Sequence, residues 1–282
     1  MLQIPKTLLF IILTIFVAGI INPATALAAG LSHQSYNGRT LYIYVPSHMP
    51  PRGERALVVV LHGGMGNAGR ILSNKSESGL NMNGVAEEDG FIVAYLNGTK
   101  VARFFSAARK GWNAGGGCCG LPAKNHVNDV AYIQGAVDKL ASEYGIDKKR
   151  IFGIGHSNGA MMTQRILCET RIYAAGMAIS GPLNLRTDTC PNARGARIVS
   201  LHGAEDRNVP VAGGRGTEGL SRAVYNSEAL SKRIFENAGA SYTLQIVPGA
   251  DHRLDHIEAV IEKTEHQTIP QKAARFFGLD KT

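Results

Sequence analysis

A serine with a glycine two residues to either side stands at Gly155-His156-Ser157-Asn158-Gly159, between the apolar run 151–154 and a helix-like segment that begins at Asn158. A G-x-S-x-G sequence between strand and helix predicts a nucleophile elbow. The serine of such a turn occupies a strained backbone conformation, and the glycines let neighbouring chain approach without Cβ clashes. The Ser157 hydroxyl then stands exposed above the sheet, placed to attack an electrophilic centre.

A serine nucleophile needs a base, an acid to orient the base, and donors for the developing oxyanion; downstream of an elbow, acid precedes histidine in the chain. Residues 196–201 (ARIVSL) read as a buried strand running into His202-Gly203-Ala204-Glu205-Asp206-Arg207. An acid at that strand's end can face the elbow, and Asp206 is the candidate, with Glu205 as its neighbouring competitor. Residues 242–247 (YTLQIV) form the next strand-like run and end in a Pro248-Gly249 turn that carries His252, the candidate base, with His256 four residues on.

One oxyanion donor is expected from the backbone N–H after the nucleophile, that of Asn158. The other is expected from the loop after the early strand 56–61 (ALVVVL), which continues His62-Gly63-Gly64-Met65 and offers Gly64 or Met65.

The elements that must position these groups alternate between strand-like and helix-like. After ALVVVL come a helix over 81–89 closed by Gly90, a strand over 91–96, and the clearest helix, 128–144. In that helix Val130, Ile133, Val137, Leu140 and Tyr144 form one apolar stripe before the Gly145 stop. A strand over 150–154, a helix over 158–169, a strand over 174–179 and a last helix over 269–277 complete the pattern. It predicts an α/β fold with a largely parallel sheet flanked by helices. Gly213-Gly214-Arg215-Gly216 reads as a mobile loop at most.

Residues 1–28 read as a secretory signal peptide: Lys6, an apolar run from Thr7 to Ile21, a break at Pro23, and small residues at 26–28. The apolar run is shorter than the roughly 18 to 20 residues a spanning helix needs, so no stable membrane anchor is expected after cleavage. Residues 29–282 are then one catalytic domain, exported to the periplasm or medium. Export makes disulfides possible, and Cys118, Cys119, Cys168 and Cys190 permit three pairings. A bond between adjacent cysteines is strained, so Cys118 and Cys119 are each expected to reach a more distant partner. Their spacing suggests no zinc site, and no metal is predicted. Thirty Lys and Arg against 22 Asp and Glu make the chain basic, but the charges are scattered and no nucleic-acid motif accompanies them, which argues against a nucleic-acid partner.

Taken in order, ALVVVLHGG, GWNAGGGCCG, the segment from VNDVAYIQG to GHSNGAMM, and LHGAEDRNVPVAGG resemble the secreted esterases that include polyhydroxybutyrate depolymerases and feruloyl or acetylxylan esterases. The resemblance implies an α/β-hydrolase fold and cofactor-free cleavage of carboxylic esters. It places the nucleophile on Ser157, the acid on Asp206, the base on His252 and the early-loop oxyanion donor on Gly64. Many members carry cysteine where this chain has Gly64, a change a backbone donor tolerates. Trp112, in a segment resembling one near the family's cleft, is a candidate substrate contact or else a core or lid aromatic, and His156 is a second candidate contact. The expected substrate is a polyester oligomer of the 3-hydroxyalkanoate kind or, alternatively, a feruloyl or acetyl ester on a polysaccharide. An acyltransferase using the same triad is a competing expectation. A non-catalytic binding module is another, weakened because every triad position holds a competent residue.

Overall fold

The computed structural model describes residues 28–104, 106–219 and 223–281. All of the expected leader except Ala28 lies outside the described residues.

The chain enters through a hairpin absent from the sequence reading. Strands β1 (Gly30–Tyr36) and β2 (Arg39–Val45) pair antiparallel across Asn37 and Gly38, both at positive φ. Asn-Gly is the pair that a two-residue turn of this hand favours. The remaining main-sheet strands are β3 (Arg55–Leu61), β4 (Ile92–Leu96), β5 (Ile146–His156), β6 (Ala175–Ile179), β7 (Arg197–Gly203) and β8 (Ser241–Val247). They form one eight-stranded sheet in the order β1-β2-β4-β3-β5-β6-β7-β8. From β4 to β8 every pairing is parallel; only the β1–β2 hairpin and its junction with β4 are antiparallel.

Helices α1 (Ala68–Ser73), α2 (Asn83–Asp89), α3 (Gly120–Lys124), α4 (Asp129–Tyr144), α5 (Asn158–Glu169), α6 (Glu228–Asn237), α7 (Leu254–Glu265) and α8 (Ile269–Phe277) accompany the sheet. Strand β3 shows why two layers are required. Leu57, Val59 and Leu61 join a core with Ile133, Val137 and Leu140 of α4 and Met161 and Ile166 of α5, whereas Val58 and Val60 join a core with Val85 of α2, Ile257 of α7 and Phe277 of α8. Successive side chains of a strand point to opposite faces, so an all-apolar strand needs helices on both. Each fully buried Val or Leu contributes about 1.5–3 kcal/mol of hydrophobic stabilisation.

Local signals set the helix ends. The Asn128 side chain caps α4 by accepting from Ala131 N–H, and Gly145 closes it in the left-handed conformation. Of the expected α4 stripe, Ile133, Val137, Leu140 and Tyr144 are buried and Val130 is half-buried.

Two expectations are corrected. Gly214 and Arg215 are not simply loop: they pair antiparallel with Val224 and Tyr225 in a short ladder. The cysteine expectation also fails. Cys168, on α5, bonds Cys190 with their Cα atoms 4.5 Å apart, and with those two joined, Cys118 and Cys119 bond each other across a cis peptide. Among the described residues no helix is long and apolar enough to cross a membrane.

Candidate active site

The carboxyl ends of β5, β7 and β8 converge on one cleft. Strand β5 ends at His156, and Ser157 follows with φ 54° and ψ −120° as the N-cap of α5. A left-handed φ on a non-glycine residue is costly and persists only where its surroundings fix it. Here Ser157 N–H donates to the Ile179 carbonyl at 2.7 Å, and the Ser157 carbonyl accepts the first helical bond from Met161 N–H at 3.0 Å. The flanking glycines are sterically required. A Cβ on Gly159 would overlap the carbonyl oxygens of Leu61 and His62, and one on Gly155 would overlap the Gly159 carbonyl.

The three residues expected to cooperate form a continuous hydrogen-bonded chain. His252 Nε2 lies 2.8 Å from Ser157 Oγ, and His252 Nδ1 lies 2.6 Å from Asp206 Oδ2. Asp206 is buried and held by its own loop, its Oδ1 accepting from Asn208 N–H at 2.9 Å and Val209 N–H at 2.8 Å. Burial alone would raise the Asp206 carboxyl, but hydrogen bonds from His202 and His252 outweigh it and hold the group far below the usual carboxylate range. An anionic carboxylate on Nδ1 fixes the tautomer that leaves Nε2 free to accept a proton from a hydroxyl. The two competitors stand aside: Glu205 is exposed, and His256 Nδ1 pairs with Asp251 Oδ1 at 2.9 Å on the surface.

The expected oxyanion donors lie side by side. A Cβ built on Gly64 would stand 3.6 Å from Asn158 Cβ, and both residues line the cleft. Met65 N–H donates to the Lys110 carbonyl at 2.8 Å, which leaves Gly64 as the early-loop candidate. Asn158 opens α5, so its N–H also carries the positive end of the helix dipole.

Trp112 is not a substrate contact. It has no exposed surface and does not line the cleft; its Nε1–H donates to the His62 carbonyl at 2.9 Å, and its ring packs on the rings of His62 and Tyr132. Its volume is spent on the wall behind the Gly63–Gly64 loop. His156 does line the cleft, but its Nε2–H donates to the His252 carbonyl at 2.8 Å, tying the loop of His252 to the elbow. Burial, reinforced by the neighbouring His252, pushes the His156 ring down to about 3 and keeps it neutral.

The cleft has a volume of about 880 Å³. Met161, Val101, Val209 and Tyr225 supply apolar lining, and Arg70, Arg186 and Arg215 line it together with Glu77 and Glu218. Among the described residues no group of three or more His, Cys, Asp or Glu side chains is placed to hold a metal ion.

Behind Asp206 the sequence reading missed a buried set: His202, Glu228 and Tyr242. His202 had a visible signal, a histidine at a strand end four residues before the acid. Glu228 opens α6, 22 residues beyond Asp206 in the chain, and no spacing in the sequence links it to His202.

The phospholipase/carboxylesterase family profile matches residues 124–261, a span that carries Ser157, Asp206 and His252. The poly(3-hydroxybutyrate) depolymerase of Ralstonia pickettii is 31% identical over 156 residues, 52% of this chain and 30% of that protein. Feruloyl esterase B of Piromyces equi is 27% identical over 181 residues, 62% of this chain and 31% of that protein. The chain thus spans about a third of the length of these two curated relatives. Among solved structures, an acetyl xylan esterase from Aspergillus awamori superposes with a TM-score of 0.60 at 16% identity, over 89% of this chain and all of that one. A poly(3-hydroxybutyrate) depolymerase from Bordetella parapertussis gives a TM-score of 0.54 at 15% identity, over 90% of this chain and 96% of that one. These likenesses identify the fold.

Proposed function

We propose that this chain, which has the α/β-hydrolase fold and is similar in sequence to a poly(3-hydroxybutyrate) depolymerase and a feruloyl esterase, is a serine carboxylesterase working through Ser157, His252 and Asp206. The observation that carries this is the hydrogen-bonded chain Ser157–His252–Asp206 opening into the cleft. His252 takes the proton from Ser157 Oγ as it attacks the ester carbonyl. Asp206 stabilises the imidazolium, and the N–H groups of Asn158 and Gly64 receive the oxyanion. His252 then protonates the departing alcohol, and water activated by the same histidine releases the acid from Ser157.

The substrate class we assign first is an oligomer of a 3-hydroxyalkanoic acid. A free oligomer of this kind carries a carboxylate at one end before it is cleaved, and Arg186 in the cleft lining suits that charge. Feruloyl or acetyl esters of polysaccharides are the second assignment, favoured by the feruloyl and acetylxylan esterase relatives. Export by the leader at residues 1–28 belongs to the same proposal, supported by the Cys168–Cys190 disulfide, a bond that persists in oxidising compartments.

The test is hydrolysis of 3-hydroxybutyrate oligomers, methyl ferulate, acetylated xylan and a p-nitrophenyl acyl series by the purified protein beside Ser157→Ala. Turnover that disappears in the variant supports the proposal, and the preferred ester selects the substrate class. Hydrolysis that survives Ser157→Ala refutes this nucleophile. Transfer of the acyl group to an added sugar or lipid alcohol in preference to water would make the protein an acyltransferase.

A further inference from the structure

The Ser157–His252–Asp206 chain leaves unused a second histidine that touches the same carboxylate. His202, on β7, has no exposed side-chain surface. Its Nε2 lies 3.1 Å from Asp206 Oδ2 and 2.8 Å from the Val209 carbonyl oxygen. A carbonyl only accepts, so this nitrogen carries a hydrogen. Its Nδ1 lies 2.7 Å from Glu228 Oε1, and Glu228 Oε2 accepts from Tyr242 O–H at 2.8 Å. With a carboxylate on each side, both ring nitrogens donate, and the ring is an imidazolium sealed between Asp206 and Glu228. Burial works against that charge; the two carboxylates overcome it and raise the ring to about 9.

Asp206 Oδ2 is shared. It accepts from His252 Nδ1 at 2.6 Å and from His202 Nε2 at 3.1 Å, so the two ring nitrogens lie within about 6 Å of each other, close enough for like charges to penalise one another. The other groups facing His252 do not supply this charge. His156, with its ring centroid 5.2 Å away, is neutral, and Asp251 is engaged with His256. His202 is faced by Asp206 from its own loop, by Glu228 from α6 and, beyond Glu228, by Tyr242 from β8.

We infer that His202 is a positioning residue and fixed counter-charge for the proposed triad, holding Asp206 Oδ2 toward His252 and opposing premature protonation of His252, so that ester hydrolysis extends to lower pH. This rests on the esterase proposal above. Glu228, through its bond to Nδ1, keeps the cation in place.

The test compares kcat and KM of the wild type, His202→Gln, His202→Leu and Glu228→Gln on one soluble p-nitrophenyl ester from about pH 5 to about pH 9, with Ser157→Ala as background. Glutamine at 202 keeps an N–H for Asp206 without the charge, and leucine keeps neither. Glu228→Gln removes the carboxylate charge that favours a proton on Nδ1. The acid limb of kcat/KM should move up by about half to one pH unit in His202→Gln and Glu228→Gln. In His202→Leu kcat should fall roughly tenfold or more with KM little changed, since His202 does not line the cleft, and His202→Gln should recover most of that loss. An acid limb that stays in place in both His202→Gln and Glu228→Gln overturns the inference, whether or not His202→Leu folds. So do ¹⁵N spectra of the wild-type protein at neutral pH that show only one protonated nitrogen on the His202 ring. A wild type without ester hydrolysis, or hydrolysis that persists in Ser157→Ala, overturns the esterase proposal and this inference with it. An active wild type with unmoved limbs overturns this inference alone.

Discussion

The Asn158 side chain grips the main chain of Trp112 at two points: Nδ2–H donates to the Trp112 carbonyl at 3.1 Å, and Trp112 N–H donates to Asn158 Oδ1 at 2.7 Å. Asn158, which lines the cleft and is proposed to donate its backbone N–H to the oxyanion, therefore has a side chain that secures the adjoining wall. Trp112 extends the brace by bonding the His62 carbonyl, one residue before the Gly63–Gly64 loop. Both proposed oxyanion donors are thus held through one buried aromatic residue, and a preorganised donor pair is worth most where it cannot relax.

Asn158→Ala keeps the backbone donor and removes the grip. It strands the buried Trp112 N–H, costing about 1–3 kcal/mol of stability, while the Trp112 carbonyl keeps its bond from Cys119 N–H at 3.1 Å. The expected outcome is a lower melting temperature together with a kcat reduced roughly tenfold to a hundredfold and KM nearly unchanged. Calorimetry and initial rates on a p-nitrophenyl ester check both halves, and a variant that melts early but turns over at the wild-type rate would show that the brace serves the fold alone.

Asp206→Asn separates orientation from packing. Asparagine is nearly isosteric, but its amide can present a donor where His252 Nδ1–H needs an acceptor, which favours the wrong tautomer. A loss of about 10⁴ in kcat is the expected size for such a change in a serine triad. Glu205→Gln, at the exposed neighbouring carboxylate, should change kcat by less than about twofold. Comparable losses in both variants would contradict the assignment of the acid.

The elbow and the parallel strands were legible because their causes are local. Gly155 is demanded by the Gly159 carbonyl, which the strand-turn-helix itself brings close, and β3 and β4 are apolar on both faces because helices cover both. Asp206 and His252 were legible because each lies a few residues past the end of a strand-like run. The β1–β2 hairpin was not recognised: β1 is largely polar and half-exposed, and its best marker was only the Asn37-Gly38 turn. Trp112 was left open between cleft and core because a tryptophan beside a glycine-rich loop looks the same in sequence whether its ring faces one or the other. The partnership of His202 with Glu228 is created by tertiary packing of α6 against the sheet, and no sequence period encodes it.

Two buried histidines, His62 and His202, and the partly buried His156 set the pH range of stability, with opposite signs. Burial pushes His62 down to about 4 and His156 to about 3 from an ordinary value of 6.5. The unfolded chain takes up protons at these positions below about pH 6.5 while the folded chain resists them, so their contribution is lost as pH falls through that window. His202, raised to about 9, works the other way: its contribution is full below 6.5 and is lost as pH rises through 9. The melting temperature should therefore peak near neutrality and fall on both sides, with a shallower alkaline decline in His202→Gln. Thermal melts across pH decide it; a wild-type melting temperature that does not fall between about pH 7 and about pH 9.5 would contradict an imidazolium at His202.

The two disulfides should differ in what they do for stability because they close different lengths of chain. Cys168 and Cys190 are 22 residues apart, tying the end of α5 to the segment that leads into β7. Closing a loop of that size removes about 3 kcal/mol of unfolded-state entropy in the chain-entropy model, which for a domain of this length corresponds to roughly 5–10 °C in melting temperature. Cys118 and Cys119 are adjacent, and their bond closes no loop that the unfolded chain could explore. The double variant Cys168→Ser with Cys190→Ser should therefore melt several degrees lower than Cys118→Ser with Cys119→Ser. Because Cys118 and Cys119 line the cleft and Cys168 and Cys190 do not, the second double variant should show the larger change in KM. Differential scanning calorimetry and initial rates on the same four proteins, the wild type and the quadruple variant included, test this. A greater melting-temperature loss in the Cys118/Cys119 variant would show that this pair acts through contacts in the folded state rather than through chain entropy.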